Sequence, residues 1–400
     1  MLYVITTAIL SLFTGRRWLF LWVALFRQPR PASEPITKAN VLVVVPFYNE
    51  SQALPGCLQA ISQLDYPVER LTVLLVDDGS TDECGRVAQT FTQSHPHWAY
   101  LRLPTNAGKA TALNSAIRHR PHVPFLVVYD ADERPQPDSL RYLLTGFVDE
   151  RVGGVTGRRV ISNGLTSAAA TYATYENLVH QSITCQAKDS LRLYPPLLGS
   201  NCAYRLTALT AVGGFPPGAL LEDSDLTVRL ARAGWHTRYL PQAISTTQAP
   251  ETVAGYWAQH TRWAKGFADV AQKEFRVSSS EFGVRSSRSP VGRVLARLEL
   301  FLFASGYLDR AALVVMMFVW LIQIRKSTPH APRTMYPVLI LTLLTPLMQI
   351  IAALWLERSA AAYWLRLVLL PFFFLLDIAT TSLGIGQSLL GIMLGMKRRD

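Results

Sequence analysis

The sequence predicts an α/β fold built on a parallel sheet and flanked by membrane-spanning helices. Three observations carry that expectation. Short, continuously apolar, β-branched runs alternate with helical stretches over roughly 260 central residues. Long charge-poor apolar runs lie at both ends. Of 400 residues, 50% are hydrophobic and only 17% charged, which excludes a disordered chain and is unusual for a fully soluble enzyme.

Charge follows the same division. Residues 37–297 carry 26 basic and 22 acidic side chains, a net of +4, while the flanks supply the other +7 of the total +11. The excess sits beside the apolar ends, as in a membrane protein with cytoplasm-facing loops, and does not mark a nucleic-acid partner. Cys57, Cys84, Cys185 and Cys202 form no C-x-x-C pair, so they read as reduced, buried thiols facing the cytosol. His180, His236 and His260 lack a partner at ligand spacing and read as packed or interfacial residues.

Taken in order, residues 1–36 read as a membrane anchor of broken geometry. Its apolar pieces, 2–14 and 18–26, are split by Gly15-Arg16-Arg17. Each is shorter than the ~20 residues a span needs, and two arginines at mid-membrane would be costly. Arg27 and Arg30 close the segment with no A-x-A-like site, against a cleaved signal peptide, and put the central residues on the cytoplasmic side. Strands are expected at 41–45, 73–76 and 125–128, with helices near 51–63, 82–93 and 108–119. Each strand ends in polar or acidic residues: Asn49-Glu50, Asp77-Asp78 and Asp130-Ala131-Asp132. In parallel sheets, ligands bind outside these carboxyl ends.

Residues 276–305 read as a linker, mobile over 278–289, followed by a surface helix at 295–303. The region 306–400 carries three expected spans: 306–324, 336–356 and 363–383. Asp377 is the one acid inside the last, with Arg310 or Arg366 as its partner. After Gly384 comes a short apolar piece ending in Lys397-Arg398-Arg399. Those charges favour a cytoplasmic terminus, whereas three spans would place it outside, so the piece re-enters, crosses, or breaks the charge rule.

Four motifs carry chemistry, each with a plain structural alternative. Asp77-Asp78-Gly79-Ser80 is either a capped turn or a grip on a nucleoside. Asp130-Ala131-Asp132 sets two carboxylates on one side of an extended chain, where they can share a divalent cation with diphosphate oxygens. Glu222-Asp223 either favours the positive end of the next helix or supplies a general base. Gln259, Arg262 and Trp263 share one helical face, suited to phosphate and to stacking on a sugar or base, or else to resting at a membrane surface.

Their order decides among these. Val45-Pro46-Phe47-Tyr48-Asn49-Glu50, then D-D-G-S-T-D, Asn106-Ala107-Gly108-Lys109-Ala110, D-A-D, L-E-D and Q-x-x-R-W resembles the membrane-bound family 2 glycosyltransferases. These include cellulose, chitin, hyaluronan and poly-N-acetylglucosamine synthases. The resemblance covers about residues 40–270. It implies a GT-A, Rossmann-like catalytic domain over 37–275, with Asp77 and Asp78 on uridine and Lys109 near the nucleotide phosphates. It assigns Asp130 and Asp132 to Mg2+ or Mn2+, with Asp132 the direct ligand, and makes Asp223 the catalytic base beside Glu222. Gln259, Arg262 and Trp263 hold diphosphate and acceptor. Gly199-Ser200-Asn201, leading to Arg205, resembles the acceptor-side loop.

The expected activity is inverting transfer of glucose or N-acetylglucosamine from a UDP-sugar onto a β-linked polysaccharide. It would proceed at the lipid bilayer of the cell membrane, in a multi-pass protein with a cytoplasmic catalytic domain. Single-step glycosylation of a membrane lipid is the alternative. The intact acids at 77, 78, 130, 132 and 223 disfavour a non-catalytic binding or transport component. One departure is Leu221, where Thr is frequent in the family.

Overall fold

Three of the apolar runs form the strands expected of them. A computed structural model describes residues 2–30, 38–119, 122–276, 290–325 and 335–393. In it β1 (Val41–Phe47), β2 (Leu71–Asp77), β3 (Trp98–Arg102) and β4 (Phe125–Val128) pair in parallel, in the order β3-β2-β1-β4. Every residue of β1 is buried, which is why it reads as a continuous apolar run and not an alternating one. Its odd and even residues feed different cores. Val41, Val43 and Val45 pack with Leu58 and Leu144, from helices Leu54–Ser62 and Ser139–Thr145. Leu42 and Val44 pack with Leu113 and Leu230, from helices Lys109–His119 and Glu222–Arg232.

The sheet is mixed rather than purely parallel, which corrects the expectation. It continues through β5 (Arg134–Pro135), β6 (Val152–Ile161), β7 (Cys202–Arg205) and β8 (His236–Thr247), giving the order β3-β2-β1-β4-β7-β6-β8-β5. β7 runs antiparallel to both β4 and β6. Glycines hide β6 from sequence reading, because they weaken a strand pattern. Here they permit close approach: a Cβ on Gly157 would lie 2.4 Å from the Ala243 carbonyl and from Asn201 Nδ2. All four cysteines are free and buried, as expected.

At the membrane end the sequence reading needs three corrections. Residues Leu2–Phe26 form one unbroken helix through Gly15-Arg16-Arg17. The two arginines are tolerated because acids meet them. Arg16 makes two 2.7 Å bonds to Glu299, and Arg17 lies 2.5 Å from Asp309. Secondly, residues 306–324 do not stand as an independent span. Val294–Ala304 and Leu308–Val319 form a pair bent by 69°, with Asp309 and Arg310 drawn into ion pairs at the bend. The expected surface helix at 295–303 is the first arm of that pair.

The third correction concerns Gly384, which terminates nothing. The helix Leu370–Met393 runs straight through it. A Cβ there would lie 2.7 Å from Ala264 Cβ and 2.9 Å from the Thr261 carbonyl, so the glycine lets this helix lie directly on helix Val253–Arg276. Among the described residues, three helices can cross a membrane by length and composition: Leu2–Phe26, Tyr336–Leu356 and Ala361–Ser388. The bent pair makes a fourth if counted as one span. The linker at 278–289 and the basic cluster at 397–399 lie outside the described residues.

Candidate active site

Two carboxylates meet one ammonium beyond the carboxyl end of β4, with a third close by. Lys109 opens its helix just after the Asn106-Ala107-Gly108 turn. Its Nζ lies 2.6 Å from Asp130 Oδ1, donates to the Gly199 carbonyl at 3.1 Å and sits 3.5 Å from Glu222 Oε1. Burial works against its charge, yet Asp130 and Glu222 hold the ammonium above its ordinary range. Lys109 thus joins the D-x-D motif after β4 to the acidic pair that starts helix Glu222–Arg232.

Asp223 lies behind that lysine. Its Oδ1 accepts from the Ser224 amide at 2.6 Å, an N-terminal helix bond. Gly199, in the left-handed region at φ +74°, brings its backbone against the acid: a Cβ there would sit 3.1 Å from Asp223 Oδ2 and 3.4 Å from Lys109 Nζ. Burial first, and the Glu222 charge second, push the Asp223 carboxyl up to about 6, against the opposing pull of Lys109. A carboxylate poised there is a competent base at neutral pH.

The D-x-D carboxylates differ in their partners. The Asp130 amide donates to Ser200 Oγ at 2.8 Å while its carboxylate is on Lys109. Asp132 is exposed, and its Oδ2 accepts from Thr247 Oγ1 at 2.9 Å. Across from it, loss of solvent and then the charges of Asp132 and Asp130 raise Glu50 above its usual range. Glu50, Asp132, Arg134, Thr247 and Gln248 line a cleft of about 510 Å³. Mutually repelling carboxylates on one cleft suit a hard divalent cation, so the donor set fits Mg2+ or Mn2+.

Asp77 and Asp78 are both buried and already bonded. Asp77 takes the Ser80 amide at 2.7 Å and the Tyr100 hydroxyl at 2.8 Å. Asp78 accepts from the amides of Ala107 and Gly108 at 2.9 and 2.8 Å, which ties the Lys109 turn to β2. Gly79 makes this possible at φ +78°, because a Cβ would meet the Thr105 backbone at 2.7 Å.

Gln259, Arg262 and Trp263 lie on helix Val253–Arg276. Arg262 is exposed, with Nη1 3.5 Å from the Leu220 carbonyl just before Glu222-Asp223. Leu221 is buried against Gly266 of the same helix, which accounts for an apolar residue at that position.

Two sequence readings shift. Gly199-Ser200-Asn201 is at the site, but Arg205 is not. It pairs with Phe125 at the opposite end of β4, bonds to the carbonyls of Val152 and Phe147, and rests over the rings of Phe125 and Phe147. Glu50, Ser200 and Thr247 belong to the site and were not singled out individually. The acidic end of β1 signalled Glu50, whereas Thr247 is 115 residues from Asp132 with no motif to mark it. Glu133, directly after D-x-D, is buried behind it against Ser245 and Arg159, with burial pushing its carboxyl up to about 7.

Residues 39–266 match the model of a family described as glycosyltransferase like family 2. The "Probable glycosyltransferase YdaM" of Bacillus subtilis is 32% identical over 238 residues, covering 58% of this chain and 56% of that protein. The poly-beta-1,6-N-acetyl-D-glucosamine synthase of Staphylococcus epidermidis is 27% identical over 232 residues, covering 57% and 54%. The chain therefore spans a little over half the length of the curated relatives it matches. Among solved structures, a mannosyltransferase from Pyrobaculum calidifontis in complex with GDP-Man and Mn2+ superposes with a TM-score of 0.60 at 23% identity. It covers 89% of this chain and 99% of that one, a likeness of fold.

Proposed function

The chain belongs to glycosyltransferase family 2, and from that premise we propose that it transfers a sugar, with inversion, from a UDP-sugar to a growing β-linked polysaccharide at a membrane. One observation carries the reading above the rest: the Lys109 ammonium joins Asp130 of the D-x-D motif to Glu222, with Asp223 against the same glycine. In this reading donor and base share one site.

The nucleoside lies at the Asp77-Asp78 turn and the diphosphate at Asp130, Asp132 and Lys109. A divalent cation, held by Asp132 and Asp130, supplies charge neutralisation to the diphosphate when bound. Asp223 accepts the proton of the acceptor hydroxyl as that oxygen forms its bond to the anomeric carbon and the bond to UDP breaks. Attack from the face opposite the leaving group turns an α-linked donor into a β-linked product. Arg262 and Lys109 offset the charge developing on UDP, and Gln259 and Trp263 hold the acceptor. Glucose or N-acetylglucosamine is the proposed sugar. The polymer acceptor is supported by the similarity to a poly-N-acetylglucosamine synthase and by the Q-x-x-R-W helix lying on an apolar helix of spanning length.

UDP release by the detergent-purified protein tests this, with UDP-glucose and UDP-N-acetylglucosamine, with and without chelator, and with products sized. Chelator-sensitive release with a ladder of lengthening product is expected. A single lipid-soluble glycoside would replace the polymer by a lipid acceptor. The Asp223→Asn variant should bind donor but lose turnover, and near-normal turnover in it would remove Asp223 from its role.

A further inference from the structure

Away from the D-x-D site, three side chains that are far apart in sequence converge where the catalytic domain meets the membrane helices. They are Glu176 of helix Ala168–Leu178, His260 of helix Val253–Arg276 and Asp377 of helix Leu370–Met393. One ligand atom from each lies within 4.8 Å of the others. We propose that Glu176, His260 and Asp377 bind a divalent cation of the zinc type, which fastens the Q-x-x-R-W helix to the membrane helix.

The donors are arranged so that each leaves one atom for a metal. His260 Nδ1 lies 3.0 Å from the Tyr256 carbonyl, an oxygen that can only accept, so Nδ1 carries a proton and Nε2 is the nitrogen that would turn its lone pair to a cation. A carbonyl behind the far nitrogen is the usual way a ligating histidine is oriented. Nε2 in turn lies 3.0 Å from Glu176 Oε2.

Both carboxylates are held from outside by one oxygen. Glu176 Oε1 accepts from the Tyr256 hydroxyl at 3.1 Å, which leaves Oε2. Asp377 Oδ2 accepts from Arg310 Nε at 3.3 Å, which leaves Oδ1. Asp377 is 2% exposed, and its Oδ1 has no hydrogen-bond partner. An unmet carboxylate oxygen buried in an apolar helix is costly and calls for a ligand. Arg310 does not fill that need: its Nη1 is committed to both oxygens of Asp309, at 3.1 and 3.2 Å.

The spacing fits a small cation. Bonds of about 2.0–2.1 Å in a tetrahedron separate ligand atoms by ~3.3 Å, near the observed 3.0 Å between Nε2 and Oε2. One imidazole with two carboxylates is a zinc-type donor set, unlike the all-oxygen D-x-D cleft. The competing occupant of Nε2 is a second proton, giving an imidazolium paired with Glu176.

The test uses the full chain in detergent. It is stripped with chelator, reloaded with zinc, dialysed, and assayed for zinc per chain and for its thermal midpoint. About one retained zinc is expected, with a raised midpoint, in the wild type and equally in Asp132→Asn. His260→Gln and Asp377→Asn should lose the zinc, and Tyr256→Phe should weaken its retention by about tenfold or more. X-ray absorption at the zinc edge should report nitrogen and oxygen neighbours at about 2.0 Å. A wild-type protein that holds no zinc and gains no stability from it overturns the proposal, whichever variants fold. So does zinc retention that His260→Gln and Asp377→Asn leave unchanged, or that Asp132→Asn abolishes.

Discussion

Removing the Lys109 charge should move the acid limb of the pH–rate profile upward, and removing the Glu222 charge should move it downward. If Asp223 is the base, as proposed, its working form is the carboxylate, and activity should be lost as pH falls through about 6. Asp223 Oδ2 and Lys109 Nζ lie 3.1 and 3.4 Å from the point that a Cβ on Gly199 would occupy, which bounds their separation at about 6.5 Å. At an effective dielectric of about 20, unit charges that far apart interact by roughly 2.5 kcal/mol, and by about 1 kcal/mol with more solvent between them. Each 1.36 kcal/mol is about one pH unit. Lys109→Met should therefore raise the limb by about one to two units. Glu222→Gln removes a like charge that raises Asp223 and should lower the limb. The readout is kcat/KM for UDP release between pH 5 and 9, because it reports the free enzyme. Limbs that stay near 6 in both variants, or that move in the same direction, would refute Asp223 as the titrating base in this cluster.

Three other perturbations probe separate parts of the molecule. Asp132→Asn should lower turnover by about 10²–10³-fold and leave a remainder insensitive to chelator; near-normal, chelator-sensitive UDP release would count against Asp132 as a cation ligand. Glu299→Leu strips the carboxylate from buried Lys188, 3.0 Å away, and from Arg16. Losing one side of a buried pair costs about 3–5 kcal/mol, so thermal unfolding in detergent should shift well down. Gly384→Leu forces a side chain where even a Cβ comes within 2.7 Å of Ala264 Cβ. It should cost about 1–3 kcal/mol in unfolding experiments and lower kcat by displacing the helix that carries Arg262.

Much of the site was legible because its chemistry sits at strand ends that periodicity locates. β1, β2 and β4 are buried on both faces and read as apolar runs, so the acids after them were found together with their place in the fold. The second half of the sheet was hidden by the glycines of β6 and by β7, only four residues long and antiparallel to both its neighbours. Long-range pairing set the other limits. Arg16 and Arg17 look like breaks in a span until Glu299 and Asp309 are beside them, and His260 looks solitary until Glu176 and Asp377 arrive from 84 residues before it and from the last long helix. A pattern of spacing cannot report partners of that kind. Gly384 misled for the opposite reason: glycine is a breaker by local propensity, but a contact with Thr261 and Ala264 decided its use.

Those same contacts connect Asp223, the proposed base, to the C-terminal apolar helices by a route that avoids the acids proposed to bind the donor. Gly384 seats helix Leu370–Met393 on Thr261 and Ala264, within the turn that carries Arg262 and Trp263. One turn further along, Gly266 receives Leu221, whose side chain fits there because the glycine has none. Arg262 reaches back to the Leu220 carbonyl, so the helix clasps residues 220 and 221 immediately before Glu222 and Asp223. The end proposed for the nucleoside is anchored separately: Asp78 ties β2 to the Lys109 turn, and Ser200 bonds the Asp130 amide after β4. The site thus has two supports, the sheet for Asp77, Asp78 and Asp130 and the Q-x-x-R-W helix for Glu222 and Asp223. They meet at Lys109, which touches Asp130 on one side and Glu222 on the other. On the proposed mechanism, a displacement of helix Leu370–Met393 would therefore reach Asp223 before it reached Asp77, Asp78 and Asp130, changing turnover more than the affinity for the nucleotide.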